Sequence, residues 1–158
     1  MTFNILISDP LSEDGIFPLR NAEGFNIVID TTLTPEQLGE KIGEFDALLV
    51  RSQTQVTREI IEKGTNLKII GRAGVGVDNI DLTAATERGI IVVNAPDGNT
   101  NSAAEHSIAM LMSLARKIPQ AFHSLKNKKW ARKTFIGVEV KNKTLGVVGS
   151  GRIGQEVA

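Results

Sequence analysis

Thr144-Leu-Gly-Val-Val-Gly149-Ser-Gly151-Arg-Ile-Gly154-Gln-Glu-Val-Ala158 joins an apolar run to three glycines spaced G-x-G-x-x-G and then to helix-forming residues. This is the pattern of the phosphate-binding turn in a dinucleotide-binding βαβ unit. In such a turn Gly149 makes the tight bend, Gly151 lets the backbone approach a pyrophosphate, and Gly154 allows the helix to pack closely on the strand. Leu145–Val148 is the expected strand before it. A complete unit takes about 30 residues, with an acidic residue roughly 20 positions past the turn for the ribose hydroxyls. The sequence ends at Ala158. The expectation is therefore the opening of a Rossmann domain cut off inside its first motif, and a truncated piece of a longer protein.

Upstream of this turn, residues 1–97 alternate short apolar runs with helix signals. Expected strands are Phe3–Ser8, Phe25–Ile29, Ala47–Val50, Lys68–Gly71 and Ile90–Val93, rich in Ile, Val and Leu and expected to be mostly buried on both faces. Thr34-Pro35-Glu36-Gln37 supplies a helix cap, a proline at the first helical position and a capping-box glutamine. Asp81 can cap a helix through Arg88, which Gly89 would end. Strand–helix alternation at this pitch predicts an α/β fold with a doubly wound parallel sheet of the flavodoxin-like kind. At Asn94–Asn99 the rhythm breaks into Pro, Gly, Asn and Asp, a loop or hinge. The expected division is a first domain over 1–97 and a second over 98–158. Ser102-Ala-Ala-Glu105 reads as a capping box opening a helix to about Lys117, with Ile108, Leu111, Met112 and Ala115 as its apolar stripe. Pro119 restarts or kinks that helix.

Composition narrows the function. Lys+Arg and Asp+Glu balance at 18 each, so no net field points to nucleic acid or an acidic membrane surface. Cysteine is absent, which removes disulfides, thiolate metal sites and cysteine nucleophiles together. No metal-ligating constellation and no Ser-His-Asp arrangement is evident, and His106 and His123 read as structural or exposed. The start Met1-Thr-Phe-Asn has no basic leader, and no apolar run approaches the roughly 20 residues of a membrane span. A cytoplasmic protein is the expectation.

In open α/β sheets, ligands bind outside the carboxyl ends of the strands. Three loops fall there: Arg51-Ser52, Arg72–Asn79 and Asn94–Asn99. Arginine grips a carboxylate or phosphate with paired N–H donors. Gly74 and Gly76 permit a backbone nest aimed at an anion, although an ordinary βα turn is an equal reading. Arg51 in isolation also reads as a surface charge. Together the loops suggest a small anionic ligand between the two halves, facing a dinucleotide. Trp130, inside the basic segment Lys126–Lys133, reads as an interface anchor.

Several of these segments recur together and in order: Arg51-Ser-Gln-Thr-Gln-Val-Thr57, Gly71-Arg-Ala-Gly-Val-Gly-Val-Asp-Asn-Ile-Asp81, Val93-Asn-Ala-Pro-Asp-Gly-Asn-Thr100, Ser102-Ala-Ala-Glu105, Trp130-x-Arg132-x-x-Phe135-x-Gly137 and Lys143–Gly154. With them the whole chain resembles the N-terminal half of the D-isomer-specific 2-hydroxyacid dehydrogenases, in particular members acting on 3-phosphoglycerate. The resemblance implies NAD as cofactor and oxidation of 3-phosphoglycerate to 3-phosphohydroxypyruvate on the route to serine. It implies that Arg51 and Ser52 contact substrate, that the Gly74–Gly76 backbone holds its carboxylate, and that Val75 lies near the nicotinamide. Gly149, Gly151, Arg152, Ile153 and Gly154 would meet the cofactor pyrophosphate, and Arg132 would reach substrate from a neighbouring subunit. The parent would be a homo-oligomer through residues 98–137. The family's catalytic Arg, Glu and His fall beyond the glycine turn, and neither His106 nor His123 matches them, so no catalytic residue is assigned. A relative using glycerate or lactate, and a non-catalytic NAD-sensing interaction module of the same fold, are the alternatives.

On this expectation, residues 1–158 neither reduce NAD with 3-phosphoglycerate nor bind NAD with micromolar affinity. Absorbance of the reduced cofactor and a calorimetric titration check both, and measurable turnover would contradict it.

Overall fold

Five apolar runs in the first part of the chain pair edge to edge, all parallel. In the computed structural model, which describes residues 2–158, they are β1 (Phe3–Ile7), β2 (Phe25–Ile29), β3 (Ala47–Val50), β4 (Ile69–Arg72) and β5 (Ile91–Asn94). Their order across the sheet is β2-β1-β3-β4-β5, the flavodoxin-like arrangement, whose topological switch point lies between β1 and β3. Parallel strands need crossover segments, and each is a short helix: α1 (Glu13–Arg20), α2 (Pro35–Lys41), α3 (Arg58–Lys63) and α4 (Leu82–Glu87).

Local chemistry starts these helices where the sequence indicates. Thr34 and Gln37 form a complete capping box on α2, with Pro35 at its first turn. Asp81 accepts the Ala84 N–H at 2.8 Å to open α4, and Gly89 leaves it with φ +68°. The apolar residues then divide by strand face. Leu6, Leu48, Val50 and Ile70 pack with Leu38, Ile60, Ile61 and Ala84 beneath α2, α3 and α4. Ile5, Ile7 and Ala47 pack with Ile16 of α1 on the other face. Full burial of one such aliphatic side chain is worth roughly 1.5–3 kcal/mol. Covered by one helix, the second face leaves an apolar groove of about 360 Å³ lined by Phe3, Leu19, Phe25, Leu49 and Ile69.

The expectation of strands buried on both faces holds for the centre of the sheet and fails at its edges. Along β2 and β5 no residue is fully buried, and Ile91 is 61% exposed. An edge strand has a neighbour on one side only, so less of its surface is covered.

Residues Met1–Gly98 and Asn99–Ala158 form two compact units. The second begins with α5 (Thr100–Ala115), bends at Lys117 in the left-handed region (φ 53°) and resumes as α6 (Ile118–Lys126) with Pro119 in its first turn. Here a second expectation is corrected. Ser102 does not cap α5, because the helix starts earlier, after Asn99, and no side chain caps it. A third correction concerns Leu145–Val148, which form no strand and lie exposed. A strand is defined by ladder partners, and none of the described residues pairs with this run. The unit closes with α7 (Arg152–Val157), which packs on α5. Among the described residues no helix is long and apolar enough to cross a membrane.

Candidate functional site

Parallel pairing in register brings the ends of β1, β3, β4 and β5 to one edge of the sheet, and the chain turns there in loops that hold one another. The turn after β3 carries Arg51 and Ser52, both exposed. The loop after β4 carries Gly74, Val75 and Gly76, and the loop after β5 starts at Asn94. Asn94 Nδ2 donates to the Val75 carbonyl at 2.6 Å, and the Ala95 N–H donates to the Gly74 carbonyl at 3.0 Å. Arg72, at the end of β4, donates through Nε to the Arg51 carbonyl at 3.1 Å and through a terminal nitrogen to Asp78 Oδ1 at 3.3 Å. The guanidinium also explains Gly76, where a Cβ would stand 2.7 Å from both Arg72 and Asp78 side-chain atoms. So the three loops named from sequence do meet, and Arg51, Ser52 and Gly74–Gly76 share one edge.

Three residues that sequence reasoning did not single out build this edge. Asp9, just past β1, is 2% exposed. Its Oδ2 accepts the N–H of Arg51 at 2.6 Å, of Gln53 at 3.2 Å and of Thr54 at 3.2 Å. Its Oδ1 accepts the Thr54 N–H at 3.1 Å and the Thr54 hydroxyl at 2.6 Å. Asn79, also buried, grips the other side of the turn, its Nδ2 donating to the carbonyls of Arg51 at 2.8 Å and Thr54 at 2.7 Å. Arg72 is the third, its side chain only 11% exposed. A usable signal existed for Asp9: an aspartate directly after a buried strand, at the edge where ligands bind.

Burial works against ionisation of Asp9, but the Thr54 hydroxyl and the N–H groups of Arg51, Thr54 and Gln53 outweigh it and hold the carboxyl below its ordinary value of 3.8. The turn is thus organised around a buried, ionised carboxylate.

The second unit carries the remaining residues named from sequence. Gly149 has φ +103°, a conformation that favours glycine, and a Cβ on Gly154 would collide with the Gly149 carbonyl. Gly151 has open space around it and directly precedes α7, whose first residues are Arg152 and Ile153. These features fit a glycine turn that opens directly into a helix, a place where backbone N–H groups can meet phosphate. Arg132 lies in the 3-10 turn Arg132–Phe135 and lines a pocket with Leu125, Trp130 and Phe135. Of the histidines, His106 lies on α5 and His123 on α6, where its ring contacts Asn127. No group of three or more His, Asp or Glu among the described residues could hold a metal.

The family described as D-isomer specific 2-hydroxyacid dehydrogenase, catalytic domain, matches residues 5–148. The chain belongs to that family. Its relatives include a D-3-phosphoglycerate dehydrogenase of Methanocaldococcus jannaschii, 57% identical over 97% of this chain, and one of Archaeoglobus fulgidus, 53% identical over 98%. The chain spans 29% of the length of each. A solved 3-phosphoglycerate dehydrogenase of Entamoeba histolytica, with NAD+ bound, superposes with a TM-score of 0.77 at 32% identity, covering 99% of this chain and 49% of that one.

The hydrogen bonds to Asp9 give a test of the turn. Replacing one partner of buried hydrogen bonds to a charged group costs about 1.5–3 kcal/mol, so Asp9→Asn is expected to be less stable than the wild type by that order at pH 7. Asp9 has a lowered folded value, so its contribution is present above the ordinary aspartate value and disappears as pH falls through the folded one. Urea unfolding from pH 7 downward should therefore show the gap between the two proteins closing in acid. A gap that is constant with pH would contradict an ionised Asp9.

Proposed function

We propose that this chain supplies the substrate-binding unit and the cofactor-phosphate turn of a cytoplasmic NAD-dependent dehydrogenase that oxidises 3-phosphoglycerate to 3-phosphohydroxypyruvate, the entry to serine biosynthesis. One observation carries the reading: an exposed arginine and serine stand beside a glycine-rich loop at the carboxyl edge of a parallel sheet, the place where such folds take ligands. The identity to D-3-phosphoglycerate dehydrogenases supports the choice of substrate.

On this reading Arg51 and Ser52 meet an anionic group of the substrate, the first through paired N–H donors and the second through its hydroxyl. The N–H groups around Gly74–Gly76 take the carboxylate, and Val75 presents an apolar surface toward the nicotinamide. In the second unit the N–H groups of Arg152 and Ile153, framed by Gly149, Gly151 and Gly154, hold the pyrophosphate. NAD held by these groups would supply the acceptor for the hydride of the carbinol carbon. The residues of this chain bind and orient, and we assign the hydroxyl proton to none of them: neither histidine lies in the loops of the carboxyl edge. Arg132 reaches the substrate of a second copy, and residues 98–137, with exposed Phe122, Leu125 and Trp130, form the contact of a homo-oligomer.

Affinity for competing acids tests the substrate. In calorimetric titrations of the 158-residue chain, 3-phosphoglycerate should bind at least about tenfold more tightly than glycerate or D-lactate, since a phosphate adds charge-assisted hydrogen bonds. Arg51→Gln should remove most of that preference. Equal affinity for all three acids would favour the glycerate or lactate reading.

A further inference from the structure

A run of successive N–H groups converging on one point is ordinarily an anion-binding nest. The turn after β3 has this form, with Arg51, Gln53 and Thr54 all donating inward. The anion at its focus is internal, the carboxylate of Asp9. Every inward donor of the turn is therefore already used, together with the Thr54 hydroxyl. Ser8 adds to the cluster, its hydroxyl 3.0 Å from that of Thr54.

The outward groups are held as firmly. The Arg51 carbonyl accepts from both Arg72 and Asn79, and the Thr54 carbonyl accepts from Asn79. The turn is thus gripped on its N–H side from the end of β1 and on its carbonyl side from the end of β4 and the loop beyond, the two neighbours of β3 in the sheet. The side chains of Arg51, Ser52 and Gln53 remain exposed, and of these only Arg51 carries a charge.

We propose that Asp9 is a positioning residue for anion binding: by filling the nest of the Arg51–Thr54 turn with an internal carboxylate, it fixes the backbone so that an incoming anion meets the Arg51 and Ser52 side chains and not the turn's own N–H groups. The proposal rests on the reading that Arg51 and Ser52 bind the substrate anion. It adds a specific consequence. Removing the Asp9 charge frees three N–H donors, lets the turn relax, and separates the Arg51 side chain from the position that the sheet edge gives it. Hydrogen bonds to a charged acceptor are about twice as strong as neutral ones, so Asn, whose amide also carries N–H groups toward the same donors, is a poor substitute.

The experiment uses the 158-residue chain, labelled with ¹⁵N and titrated with 3-phosphoglycerate to millimolar concentration, as wild type, Asp9→Asn and Arg51→Gln. In Asp9→Asn the core amides of β1, β3 and β4 should stay in place while those of Arg51, Gln53 and Thr54 move upfield, and affinity should fall about tenfold. In the wild type those three amides should keep their positions at saturation, because the ligand does not displace Asp9. Should Asp9→Asn fail to fold, Thr54→Val, which deletes the hydroxyl that donates to Asp9 and also meets Ser8, should show the same change to a smaller degree, a several-fold loss of affinity. Unchanged affinity in whichever variant folds, or transfer of the three wild-type amides to the ligand, would overturn the proposal while leaving the site reading intact. Unchanged affinity in Arg51→Gln, or no binding by the wild type, would overturn the site reading and this proposal with it.

Discussion

The carboxylate of Asp9 ties the end of one central strand to the loop that leaves the next. In a parallel sheet every strand ends at the same edge, and the backbone groups there run out of ladder partners together. Some other donor or acceptor has to satisfy them, because unpaired buried backbone groups are costly. Here β3 ends between β1 and β4, and each neighbour supplies what is missing: Asp9 takes the N–H groups of the turn, and Asn79 and Arg72 take its carbonyls. The geometry of Arg51 and Ser52 follows from that closure.

The arrangement places charge with some economy. A buried carboxylate is unfavourable unless several donors meet it, and Asp9 has the N–H groups of three residues and a hydroxyl. Arg72 lies largely buried close by, its guanidinium shared between a carbonyl and Asp78. With these charges engaged inside the protein, Arg51 is the exposed cation of the turn. On the proposed reading, an edge of this kind suits an acid that carries a phosphate as well as a carboxylate over one that carries the carboxylate alone.

Much of the first unit was legible in the sequence. Runs such as Ala47–Val50 are short, aliphatic and bounded by polar turns, and the caps at Thr34 and Asp81 act through neighbours three residues away, so local pattern was enough. The loops bearing Arg51 and Gly74–Gly76 were legible because parallel pairing fixes which end of a strand faces a ligand. Asp9, Asn79 and Arg72 were not singled out, because their partners lie far along the chain and a lone aspartate before proline reads equally as a turn residue. The strand expected at Leu145–Val148 shows the limit from the other direction. Its residues have strand character, yet a ladder needs a second strand, and sequence pattern does not supply one. Ser102 is similar: the capping-box pattern is present, but α5 already begins before it.

The central claim is that the carboxyl edge of the first unit binds an anion through side chains displayed on a turn whose backbone is already filled. A crystal structure of the chain soaked with 3-phosphoglycerate tests it most directly. The account predicts density for an anionic group within hydrogen-bond reach of the Arg51 guanidinium and the Ser52 hydroxyl, with Asp9 still bonded to Arg51, Gln53 and Thr54. Density for the anion inside the nest, with Asp9 swung away, or density at a different face of the sheet, would contradict it.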